Sequence, residues 1–306
     1  MQINRREFLE RSVALGAAAA LPLNAISAEK SAEKPAEKSA EKPAGKILRA
    51  SDVIEISPAK IKVSRMGIGT GTYGAGHSSN QLRALGVDGV ASMLTTAYEK
   101  GIFLWDTADA YGTHDCIKAA LKKVPRDKVT ILTKTDAWTA DKTKSDIDRF
   151  LKELGTDYID ILLLHTRLSP TWDQDDKEAM EVMAEAKQKK IIRAVGMSCH
   201  SVEAMKLAAK NPWLDICMVR INPEGERMDA PPNTVLPVVK ELKDNGKGVI
   251  GIKVLGEGSL CDGDYHNQAL RFALTKSPIH AFSIGCESLD NALDNISRIE
   301  KLAIPA

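Results

Sequence analysis

No C-x-x-C pair occurs in the 306 residues, and the five cysteines, Cys116, Cys199, Cys217, Cys261 and Cys286, are scattered and odd in number. That spacing argues against a disulfide scaffold and against a zinc or iron–sulfur site. It fits a chain that folds under reducing conditions, with most of its thiols serving as small core residues. Nor is there a block of like charge: 42 lysines and arginines balance 41 aspartates and glutamates, for a formal net charge of +1. Nothing in that balance could track a phosphate backbone or settle on an anionic membrane, so nucleic acid is not an expected partner. The alanine-rich run from Val13 to Leu23 is too short to make a good spanning helix, and no stable membrane span is expected after processing.

What is present begins with "NRREFLERSVALGAAAALPLNAISA", a basic start, a short apolar run and an end in small residues. This is the pattern of an export signal over residues 1–28. Arg5 and Arg6, followed by Phe8 and Leu9, resemble the twin-arginine type, which implies the twin-arginine export machinery as a partner and a periplasmic destination beyond the bacterial inner membrane. Residues 29–46, "EKSAEKPAEKSAEKPAGK", form a low-complexity linker whose prolines interrupt any helix and whose composition offers no apolar face to bury.

From residue 47 to 306 short apolar runs alternate with amphipathic stretches. A strand pair in "VIEISPAKIKVSRMGIG" is broken by the Ser57-Pro58 turn signal. Strands are then expected from near Met66, Ile102, Val129, Tyr158, Ile192, Leu214, Val249 and His280, each followed by a helix. Continuous apolar strands alternating with helices imply an α/β fold with a parallel sheet, and eight units imply a (β/α)8 TIM barrel carrying an N-terminal β-hairpin. A doubly wound open sheet is weakened by the unit count and by the lack of a G-x-G-x-x-G turn between a strand and a helix. The glycine-rich "GIGTGTYGAG" has no prompt helix after it and reads as a flexible active-site loop.

In such a barrel the active site lies at the carboxyl ends of the strands. Strand two ends at Asp106 with Tyr111 in its loop, strand three at Lys134, strand four at His165, strand five at Ser198, and strand six at Arg220 and Asn222. A lysine buried beside "VTIL" needs a carboxylate, and Asp106 is the natural partner. A lysine ammonium near a tyrosine favours the phenolate and lowers the pKa, and a histidine opposite can donate to a carbonyl oxygen on which charge develops. No side chain supplies a hydride, so a nicotinamide cofactor is expected. A metal held by Asp106, Asp109, His165 and His200 is disfavoured by the cation among them; Asp109 is read as shaping the loop.

These residues resemble the aldo-keto reductase family, on "GIGTGTYG", "DTADAYG", "LTK" and "ILLLH". The resemblance implies a catalytic tetrad: Tyr111 as general acid or base, Lys134 tuning it, Asp106 pairing with Lys134, and His165 orienting the substrate carbonyl. It also implies that a dinucleotide is held by Gly69, Thr70, Ser198, Lys253, Leu255, Gly256, Gly285 and Asn295. The chain departs from the family pattern at Cys199, His200, Met218 and Ile252, and it lacks the Lys and Arg that clasp a 2′-phosphate, so NADP and NAD (NADPH or NADH) both stay open. The loops "TRLSPTWDQDD" and "GEGSLCDGDYHN" are expected to wall the substrate pocket, with Arg167, Trp172 and Tyr265 contributing. The implied function interconverts a carbonyl (aldehyde, ketone or sugar) and an alcohol. The alternative is a dinucleotide-binding sensor or partner subunit with little turnover.

Overall fold

A computed structural model describes residues 47–56 and 58–306. The expected export signal (1–28) and linker (29–46) lie outside the described residues. Strands β1 (Val53–Ile56) and β2 (Ile61–Ser64) pair antiparallel, with Ile56 opposite Ile61. Eight parallel strands follow: β3 (Met66–Gly69), β4 (Leu104–Asp106), β5 (Thr130–Thr135), β6 (Ile159–Arg167), β7 (Ile192–Cys199), β8 (Ile216–Arg220), β9 (Gly248–Ile252) and β10 (Ala281–Gly285). They close into a barrel in the order β10-β3-β4-β5-β6-β7-β8-β9.

Between and after them run α1 (Asn80–Glu99), α2 (His114–Ala120), α3 (Ala140–Leu154), α4 (Trp172–Asp175), α5 (Lys177–Gln188), α6 (Val202–Lys210), α7 (Pro232–Asp244), α8 (Gly263–Thr275) and α9 (Leu289–Lys301). The apolar spacing alone places the first helix from Gly89, in "GVASMLTTAYEKG", but α1 begins at Asn80 because the Ser79 hydroxyl accepts from Leu82 N (3.2 Å) and caps the extra turns. Gly86, at φ 63°, kinks it three residues before the spacing starts. Among the described residues no helix is long and apolar enough to cross a membrane.

Side chains alternate along each strand with a period of two. One set, including Trp105, Ile131, Leu162, Val195 and Phe282, is buried beneath the helices. The other, including Leu104, Leu132, Ile161, Leu163, Ile216, Ile250 and Ala281, packs inside the barrel. The hairpin's Ile56, Ile61 and Val63 join this inner cluster and plug the N-terminal end, held there in part by Thr130 Oγ1 donating to Lys62 O at 2.6 Å. Two residues beyond Leu104, Leu132, Leu163 and Ala281, the same inward files carry Asp106, Lys134, His165 and Ser283, so the strand period alone brings four polar groups to the C-terminal mouth.

Candidate active site

Lys134 is 1% exposed, and its ammonium has two acceptors: the carboxylate of Asp106 and the carbonyl of Thr107 at 2.8 Å. The second Asp106 oxygen accepts from Ser283 Oγ at 2.7 Å. An isolated buried charge would be prohibitive, and this pairing makes it tolerable. Burial favours the neutral amine, yet the Asp106 charge and the Tyr111 hydroxyl outweigh it and hold Lys134 above its ordinary value, as a cation.

Tyr111 ends a 3-10 turn, Asp109–Tyr111, and its ring centroid lies 4.8 Å from Lys134 Nζ. Proximity to a lysine predicts a lowered phenol pKa. The net shift is upward: burial raises it, Lys134 pulls it back, and the nearby Asp106 carboxylate adds to the rise. The phenol is thus kept protonated, as a donor.

The ring is held by backbone. A methyl at Gly71 would lie 2.2 Å from Tyr111 Cδ2, and one at Gly74 would lie 2.3 Å from Cδ1. Neither glycine has a left-handed φ, so it is this close approach that requires them. The loop read from sequence as flexible is tied to α1 by buried Gln81, which accepts from Thr72 N (3.0 Å) and donates to Thr72 Oγ1 (2.7 Å) and Gly69 O (3.3 Å).

His165 Nε2 lies 3.5 Å from Tyr111 Oη, with the rings edge to face at 5.5 Å. Its Nδ1 lies 3.2 Å from Asp136 Oδ1. Burial pulls the His165 pKa below its ordinary 6.5, against the pull of Asp136, so the ring is neutral at pH 7. A carboxylate can only accept, so the single ring proton sits on Nδ1 and Nε2 accepts from the phenol. Register slips between Leu164 and Arg167, where Thr166 takes φ 54°, a strained value for a β-branched residue. Arg167 braces this bulge, donating to His165 O (2.8 Å), Ala137 O (2.8 Å) and Asp176 (2.7 Å). Asp136, Ser283 and the bulge are site features that the sequence reasoning missed.

On the far side Arg220 donates to His200 Nδ1, and His200 Nε2 lies 3.4 Å from Ser198 Oγ. Burial and then the Arg220 guanidinium lower the His200 pKa to about 3, so this imidazole is neutral. Asp109 turns away from the tetrad positions to a two-pronged ion pair with Arg149 (2.7 and 2.8 Å). The same guanidinium reaches Glu153 at 3.0 Å, so a cation already occupies the grouping of Asp109, His114 and Glu153.

A cleft of about 580 Å³ opens from Asp106 and Tyr111 towards α8 and α9. It is lined by Gly69, Lys253, Leu255, Gly285 and Asn295 of the expected dinucleotide set, and by Met218 and Ile252. The other three expected contacts are not on its wall. Thr70 is fully buried, donating to Asp106 O (3.0 Å) and bonded to Thr113 (2.7 Å); Ser198 is buried beside His200; Gly256, at φ 57°, turns the β9 loop from behind. Of the three expected substrate-wall residues, Trp172 is corrected. Trp172 is wholly buried, donating to Ala204 O (3.2 Å) and packed on Trp213; Tyr265 stands exposed on α8, off the cleft; Arg167 braces the bulge. Trp138, 68% exposed, and Leu168 instead offer apolar surface on the loops next to Asp136 and Arg167.

The model of the aldo/keto reductase family matches residues 65–303. The chain is 28% identical over 232 residues to the NADH-specific methylglyoxal reductase of Escherichia coli, an alignment covering 68% of each. It is 31% identical over 226 residues to the aldo-keto reductase YhdN of Bacillus subtilis, covering 68% of this chain and 62% of that protein. The chain thus spans about two thirds of the length of these curated relatives. The holo form of an aldo-keto reductase from Bacillus halodurans shares the fold with a TM-score of 0.65 at 21% identity, covering 83% of this chain and 97% of that one. By the family match over nearly the whole barrel, the chain belongs to the aldo/keto reductase family.

Proposed function

We propose that the protein is an oxidoreductase that reduces a small polar aldehyde or ketone to the alcohol at the Tyr111 end of the cleft, using NADH or NADPH. One observation carries this reading: a protonated phenol held between a buried Lys134–Asp106 pair and the His165 imidazole, at the open mouth of a cleft of about 580 Å³. When bound, the dinucleotide supplies the hydride that no side chain can. Tyr111 gives its proton to the carbonyl oxygen as negative charge builds there. Lys134, fixed by Asp106 and Thr107, stabilises the phenolate left behind.

In this reading His165 aims the phenol and does not donate to the carbonyl. With its proton on the Asp136 side, Nε2 accepts from the hydroxyl and aims it at the mouth until a carbonyl oxygen takes its place. The neighbouring Trp138 and Leu168 supply apolar contact for the rest of a small substrate. The methylglyoxal reductase likeness makes methylglyoxal a first substrate to try.

Mixing the protein with NADH or NADPH and a panel of aldehydes, ketones and sugars should give loss of nicotinamide absorbance with at least one carbonyl. Tight dinucleotide binding with no turnover across the panel would instead support a sensor or partner subunit. The proposal extends to location: Arg5-Arg6 and the apolar run after them direct the folded protein to the periplasm through the twin-arginine machinery. Residues 1–46 fused to a reporter should export it, and Arg5→Lys/Arg6→Lys should leave it in the cytosol.

A further inference from the structure

We infer that the cleft favours NAD(H) over NADP(H), with Glu287 as the selecting residue; this rests on the dinucleotide-dependent reading above. The nicotinamide must reach Tyr111, so the adenosine belongs at the opposite end, along α9, whose Asn291, Asp294, Asn295 and Arg298 line the cleft with Glu287 just before its first turn. NAD and NADP differ there by a single phosphate on the ribose 2′-oxygen, which carries between one and two negative charges at neutral pH.

The charges lining that end are two exposed carboxylates, Glu287 and Asp294, against one guanidinium, Arg298. Arg298 is already engaged, its Nε with Asp294 at 2.6 Å and its Nη1 with Asn267 at 3.3 Å. Lys253, the other cation on the cleft wall, is paired with Glu257. Arg83, close by but off the wall, has its two terminal nitrogens on Asn80 and Ser78. Glu287, on the cleft wall, accepts from Asn80 Nδ2 at Oε1 (2.7 Å), and its Oε2 takes no part in that bond.

A fixed carboxylate oxygen is a good acceptor for a ribose hydroxyl, which donates. The same oxygen repels a phosphate, which only accepts and is itself charged. Discrimination is therefore built from an attraction to the hydroxyl and a repulsion of its phosphorylated form.

The test is calorimetric titration of the full chain with NAD+ and NADP+, and with 5′-AMP and adenosine 2′,5′-bisphosphate as probes of the adenosine end alone. NAD+ should bind more tightly by about tenfold or more at low salt, with the gap narrowing as salt screens the repulsion. Glu287→Gln should narrow the gap, and Glu287→Lys should close or invert it. NADP+ binding as tightly as NAD+, or a gap unchanged in both variants, overturns the inference while leaving the reductase reading intact. Binding of neither dinucleotide sinks both.

Discussion

At the N-terminal end of the barrel the inward files read Leu104, Leu132 and Ile161, sealed by Ile56, Ile61 and Val63 of the hairpin. At the C-terminal end the same strands read Asp106, Lys134 and His165, and the mouth is open. The pleat is the same at both ends, so the difference lies in what each inward position must satisfy. The lower positions need only apolar neighbours and contribute stability by filling space. Each upper polar group needs a partner on another strand: Asp106 on β4 bonds Lys134 on β5 and Ser283 on β10. The division is that of barrel enzymes in general, with chemistry at the carboxyl ends and stability at the other.

Four substitutions would break or sharpen this contrast. Tyr111→Phe should lower kcat for carbonyl reduction by about 10²–10⁴-fold, the range of a lost general acid, and leave the melting temperature unchanged. Because the proton donor is lost only as pH rises through a pKa lifted above 10.0, the wild-type rate should show no alkaline decline below that pH. Asp106→Ala should affect both ends of the comparison. Stripping the carboxylate from a buried ammonium should cost about 3–5 kcal/mol in urea unfolding, and Asp106→Leu with Lys134→Met should recover most of it without activity. If the single variant is as stable as wild type, the pair is not buried as described.

Leu132→Ala, two residues below Lys134, should cost about 2–5 kcal/mol through its cavity yet leave kcat of the folded protein near wild type. A large fall in kcat there would mean that the two ends are not separable. The smallest effect is expected at Gly71→Ala, about 1–3 kcal/mol from crowding the Tyr111 ring. In a Tyr111→Ala background the same change should cost almost nothing, and a penalty persisting there would show that the loop, not the ring, resists the methyl.

Much of this was legible in the sequence because it rests on local pattern. Apolar runs of strand length, stopped by helices eight times over, give the barrel, and the polar residues ending the second to sixth runs mark the mouth. What the sequence did not reveal depends on distant register. Ser283 meets Asp106 across 177 residues, and no local signal announces it. Asp136 looks like a loop charge until the bulge at Thr166 sets His165 beside it. Trp172 was misread as a pocket wall because an aromatic in a polar stretch looks exposed, although α4 turns it into the core. The upward shift of the Tyr111 phenol was missed for a related reason: a nearby cation can be read from the sequence, but depth of burial cannot.

The loop carrying Gly71 has two faces. On one, its backbone lies against the Tyr111 ring; on the other, Gly71, Thr72 and Tyr73 form a wall of the cleft. One strip of chain, pinned by Gln81, therefore meets whatever fills the cleft and also sets the angle of the phenol. Whatever fills the cleft and the angle of the phenol are thus mechanically coupled through three residues of backbone.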